Sequence, residues 1–138
     1  MKRYPRLGVV VIATHCAVAV WHLFLAAEVL PSPNNTISLL AVLLITLMHL
    51  AIAAAWWKLT DKLAGAILAI FFAVVLALDI YEHFLHPGAN NVFMVLSGDW
   101  KTIFEVSVGL LLAIELLGTS IGILSLKGGR LDGLRVAS

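Results

Sequence analysis

Long apolar runs separated by short polar breaks dominate this chain, and four of the runs reach the roughly 20 helical residues needed to cross a bilayer. The first covers about residues 7–30 and stops at Pro31-Ser32-Pro33. The second covers about 37–57, with Asn35 or Thr36 as its N-cap. A third, about 63–86, is ended by Pro87-Gly88. The fourth begins near Asp99-Trp100, with Ser97 or Asp99 as cap, and runs to about Leu126 before Lys127-Gly128-Gly129. Between the last two lies a connection, 88–98, whose short apolar run Val92-Phe93-Met94-Val95-Leu96 suits an interfacial segment or a lid. The pattern predicts an all-α, integral membrane four-helix bundle forming a single membrane domain over residues 1–138.

Composition supports the membrane class. Of 138 residues, 62% are hydrophobic and 12% charged, too little polar surface to cover a water-soluble core of this size. A formal net charge of +1 gives no case for nucleic acid as a partner. Cys16 is the single cysteine, so no intrachain disulfide forms, and inside an apolar run it reads as a packing residue.

The placement of Lys and Arg sets an expected orientation. Lys2, Arg3 and Arg6 precede the first span, Lys58 and Lys62 follow the second, and Lys127, Arg130 and Arg135 follow the fourth. Lys101 is alone near the third connection. Both termini are therefore expected in the cytoplasm, in a multi-pass protein of the plasma (inner) membrane. Trp56, Trp57 and Tyr4 then mark the inner interface, with Trp100 and Tyr81 at the outer one. The first span has the basic flank of a signal peptide but is too long and lacks a cleavage site, so it reads as an uncleaved anchor. The Asn34-Asn35-Thr36 sequon is a chance match. Gly118 and Gly122, and Ala51 and Ala55, are small-residue pairs that permit close helix approach.

The acids and histidines point to chemistry. All five histidines (His15, His22, His49, His83, His86) and five of the eight acids (Glu28, Asp79, Glu82, Glu105, Glu115) fall within the spans, where no Lys or Arg lies deep. Ionisable groups in a membrane are costly and mostly mark function. With no basic partner, these acids are protonated, bind a cation, or face water or a partner subunit. Asp79, Glu82, His83 and His86 share one helical face at i, i+3, i+4 and i+7. Depth counting puts Asp79, Glu82, His83, His22 and Glu105 within about two turns of the outer interface, and His15, His49 and Glu115 in a deeper layer roughly 10–15 Å below.

Three chemistries suit this set. The first is a transition-metal ion (Cu, Fe or Zn) on the periplasmic or extracellular side, for redox or metal-dependent reactions. Asp79 and His83 would chelate it, His22 and Glu105 would complete the shell, and His86 and Glu82 would serve at its entry. The second is haem b between His15 and His49, in an electron-transfer subunit working with a quinone. The third is cofactor-free acid–base catalysis, of an isomerase or cyclase kind, on a lipophilic small molecule, with Glu105 and Glu82 as catalytic carboxyls and Asn90 and Asn91 orienting a polar group. A proton-coupled transporter, and a homo-oligomer or a subunit docked on another membrane protein, are the non-enzymatic expectations.

Overall fold

The computed structural model describes residues 4–29, 39–88 and 90–135. Those residues are helical apart from short connections. Four helices follow one another: α1 (Tyr4–Val29), α2 (Leu39–Lys58), α3 (Asp61–Ile80) and α4 (Lys101–Arg135). All four are long and apolar enough to cross a membrane, over Arg6–Val29, Leu40–Lys58, Lys62–Leu85 and Lys101–Lys127. The expected stop at Pro31-Ser32-Pro33, the caps at Asn35 or Thr36 and the sequon lie outside the described residues.

Around the bundle, α3 and α4 form the closest pair, α1 packs on α4, and α2 leans on α1 and α3. The α3–α4 contact rests on residues with almost no side chain. A methyl group at Gly122 would stand 2.5 Å from the Ala69 backbone nitrogen, and one at Gly65 would stand 2.8 Å from the Gly122 carbonyl oxygen. Gly118 is filled by the ring of Phe72, and Gly8 of α1 by the indole of Trp56. Gly122 is thus a backbone-approach site, as small residues are in membrane helices, whereas Gly118 makes room for a ring. Ala51 of α2 is exposed instead.

Buried positions recur at three- and four-residue spacing, as one helix face requires. On α4 they are Phe104, Ser107, Val108, Leu111, Glu115, Gly118, Ile121, Gly122 and Ser125. Two apolar clusters result. One, at the end carrying the termini, joins Val11, Ile12, Trp56, Leu68, Phe72 and Ile121. The other, at the end carrying the α3–α4 connection, joins Leu25, Ala26, Val95, Phe104 and Val108. Val95 belongs to the short apolar run between the last two spans, and that run lies folded against the bundle end. The Val92 N–H donates to the His83 carbonyl at 3.0 Å, and Phe93, Met94 and Leu96 stay exposed.

Two local departures from the sequence expectation matter. The third span ends in a π-helical turn, Tyr81–Leu85, closed by the His86 N–H on the Tyr81 carbonyl at 2.7 Å. The fourth helix continues beyond Leu126, through Gly128-Gly129, to Arg135. Glycine lowers helix propensity by only about 1 kcal/mol, so two of them need not stop an established helix.

Replacing Gly122 with Val should lower thermal stability in detergent by about 1–3 kcal/mol, the usual cost of overpacking. Gly109→Ala, whose methyl meets nothing within 4 Å, should leave stability unchanged or slightly raised. Equal losses from the two would show that the α3–α4 approach is not what Gly122 supports.

Candidate functional site: a buried imidazole–carboxyl row beside a membrane cleft

Midway along the bundle, three side chains from three helices form a continuous hydrogen-bonded row. His49 of α2 donates from Nδ1 to the Ile45 carbonyl of its own helix at 2.7 Å. Its Nε2 is then the acceptor for His15 of α1, whose Nδ1 lies 2.7 Å away. His15 Nε2 meets Glu115 Oε1 of α4 at 2.9 Å. His15, His49 and Glu115 are 2%, 3% and 0% exposed. Rings of Phe71 and Phe72 meet the two imidazoles edge-on at 5.2–6.3 Å and fix their planes.

The network assigns the protons. A backbone carbonyl only accepts, so His49 carries hydrogen on Nδ1 and a lone pair on Nε2. His15 must therefore donate from Nδ1. One proton remains for the contact between His15 Nε2 and Glu115 Oε1, and it sits on either the nitrogen or the oxygen. The row is anchored at one end by a carbonyl that cannot release a proton and is mobile at the other. At that mobile end Glu115 Oε2 is buried without a hydrogen-bond partner among the described residues. The carboxyl of Asp79 on α3 neighbours it, and also neighbours His15 and His83.

Asp79 opens onto a cleft of about 200 Å³. His15, His22, His49 and Asp79 supply its polar lining, and the rest of the wall is apolar: Ala19, Leu23, Ile45, Met48, Val75 and Leu111. His22 donates from Nδ1 to Ser107 Oγ at 2.8 Å, and that hydroxyl donates onward to the Phe104 carbonyl at 2.6 Å. His22 is left with a lone pair on Nε2. His83 is set in the same way: its Nδ1 donates to the Asn90 carbonyl at 2.9 Å, and its ring meets that of His22 at 4.9 Å. Asn91, also buried, donates to the His86 carbonyl at 3.0 Å and accepts from the Phe93 N–H at 3.0 Å, which shapes the loop that carries the Asn90 carbonyl.

The π-helical turn divides the stripe expected on the third span. Asp79 and His83 face inward, whereas Glu82 and His86 are exposed and face each other at 3.5 Å. A turn that takes one extra residue shifts the side chains beyond it around the helix axis, and such turns recur at functional sites. Glu105 is also exposed, 3.9 Å from Lys101 one turn earlier on the same helix. Of the five residues expected around a metal, then, Asp79, His83 and His22 are neighbours, while Glu105 and His86 lie on the surface. Among the described residues no three His, Cys, Asp or Glu side chains converge in a geometry that holds a metal ion. His15 and His49, the expected haem pair, point their ring nitrogens at each other. Two axial imidazoles would each stand about 2 Å from a metal between them. The 2.7 Å between these nitrogens leaves no room for a porphyrin without parting the rings.

Glu115 is expected at this level from its depth, and Ser107 carries a sequence signal as well. Ser107 and Glu115 lie eight residues apart on the stripe that includes Phe104, Leu111 and Gly118. Periodicity of the fourth span therefore turns both inward and turns Glu105 outward. Comparison with family models, curated proteins and solved structures gives no match, so the chemistry rests on geometry.

Glu115→Gln keeps a group that can donate to His15 Nε2, whereas Glu115→Leu leaves that nitrogen buried and unpaired. Thermal denaturation in detergent should show Glu115→Leu less stable by about 1–3 kcal/mol and Glu115→Gln close to the parent. An equal loss in both would mean that charge, not a shared proton, holds the pair.

Proposed function

We propose that this protein is a membrane acid–base site, which passes a proton between the His49–His15–Glu115 row and a small lipophilic molecule in the adjoining cleft. The observation that carries this reading is Asp79: it borders the buried Glu115 carboxyl on one side and lines the cleft on the other. A low-dielectric cavity with a carboxyl at its wall and a one-proton store behind it suits general acid–base work. Asp79 exchanges the proton with the bound molecule, and Glu115 and His15 accept or replace it. A reaction that removes a proton and returns it elsewhere on the same molecule balances with no further reactant, which favours the isomerase kind of chemistry.

Charge placement supports an orientation. Arg6, Lys58, Lys62 and Lys127 gather at one end of the bundle and Lys101 stands at the other. That asymmetry favours cytoplasmic termini in a plasma (inner) membrane and an outward-facing α3–α4 connection.

A second reading, a metal ion drawn between Asp79, His83 and His22, needs these side chains to close up, since they do not converge on one point here, and has one observation in its favour. His22 and His83 each donate their Nδ1 hydrogen to a fixed oxygen and keep Nε2 as a lone pair, the usual support of a metal-bound imidazole.

Both readings are tested on one purified sample in bilayers. Infrared spectra recorded from mild acid to mild alkali should show a buried carboxyl signal that vanishes in Glu115→Gln and moves in Asp79→Asn. A Glu115 signal indifferent to Asp79 would overturn the acid–base reading. Near-stoichiometric metal that the Asp79→Ala, His83→Ala double variant loses would establish the second reading, and metal absent from both forms would remove it.

A further inference from the structure

The cleft lies at mid-bundle between the two apolar clusters. Towards the end with the termini stand Val11, Ile12, Phe72 and Trp56, buried and in contact. Towards the other end the rings of His22, His83 and Phe104 pack at 4.9–5.9 Å beneath Val95. Molecules larger than water therefore have a poor path along the bundle axis from either end.

Sideways the situation differs. Helix α2 leans on α1 and α3 and exposes most of its surface, with Leu40, Leu43, Leu44, Leu47 and Leu50 all facing out. Met48, on the same helix, lines the cleft and is 42% exposed. It thus belongs to the cavity wall and to the lipid-facing surface together, halfway along a span. Methionine is unbranched and flexible, and suits a wall that yields.

The polar groups inside narrow the class of occupant. His22 has its only ring hydrogen committed to Ser107, so Nε2 offers a lone pair, and the Asp79 carboxyl supplies further acceptor oxygens. Such a wall calls for a donor from the ligand. Ala19, Leu23 and Val75 around it match an apolar remainder.

From this geometry we propose that the cleft takes the hydroxyl-bearing head of a membrane-dissolved molecule, of the phenol or hydroquinone class with an aliphatic tail, which enters sideways from the bilayer past Met48. The hydroxyl hydrogen meets His22 Nε2 or Asp79, and the tail stays in lipid. The role given to Asp79 extends the acid–base reading, but the entry route and the ligand class rest on the cleft alone.

The test uses the full chain in lipid nanodiscs and an alkyl-tailed hydroquinone as probe, alongside its dimethyl ether, which keeps the ring, the tail and both oxygens but has no O–H. Saturable binding of the hydroquinone, with the ether weaker by about tenfold or more, is expected from the loss of a buried hydrogen bond. Ala19→Phe, which fills the cleft, should abolish the binding. Met48→Trp, at the opening, should slow association while leaving final occupancy little changed. Circular dichroism and thermal melting of both variants check that the bundle is intact. Equal affinity for the ether, no saturable binding, or association unaffected in Met48→Trp would overturn the proposal. If the probe binds as expected while the Glu115 infrared signal ignores Asp79, the acid–base reading fails and the lipid-access cleft stands.

Discussion

The contact between His15 Nε2 and Glu115 Oε1, 2.9 Å long and fully buried, governs the rest of this structure. A carboxyl in the middle of a membrane bundle needs a partner, because an unsatisfied buried polar group costs about 1–3 kcal/mol and an unpaired charge far more. His15 supplies that partner only if its other nitrogen is also satisfied. His49 satisfies it, and the Ile45 carbonyl satisfies His49. Three helices are tied together by one chain of demands, and the demands end at a backbone atom that never titrates. Among the described residues, the open end of this row is Glu115 Oε2, beside the Asp79 carboxyl.

Packing serves this row. Small residues at Gly65 and Gly122 let α3 and α4 approach to backbone contact, which brings Phe72 under Gly118 and against His15. The phenyl rings hold the imidazole planes, so the hydrogen bonds keep their direction. Apolar clusters then bound the row towards both ends of the bundle, and the loosely held α2 leaves a cleft at its level. A polar site enclosed along the axis and thin at one flank is suited to a partner that arrives through lipid.

Much of this was legible in the amino-acid order. Four spans follow from hydropathy alone, and depth along the helices puts His15, His49 and Glu115 at one level, where the structure joins them. Depth does not give rotation about a helix axis, however. Glu105 sits at a suitable height yet is exposed, off the buried stripe of α4 that carries Ser107 and Glu115. The stripe Asp79, Glu82, His83 and His86 assumes a regular helix. The π-helical turn breaks that regularity and sends Glu82 and His86 to the surface, and nothing in Tyr81-Glu82-His83-Phe84-Leu85 announces an i-to-i+5 bond. The committed tautomers of His22 and His83 depend on Ser107 and on the Asn90 carbonyl, so they emerge only once the helices are packed.

The central claim is that His49, His15 and Glu115 form one hydrogen-bonded row sharing a proton at its Glu115 end. Nuclear magnetic resonance of the protein in bilayers, with isotope-labelled histidine ring nitrogens, tests it most directly. The account predicts a through-hydrogen-bond coupling between His15 Nδ1 and His49 Nε2, together with a His15 Nε2 signal that moves when Glu115 is replaced by Gln. Two uncoupled imidazoles, or a His15 Nε2 signal blind to Glu115, would contradict it.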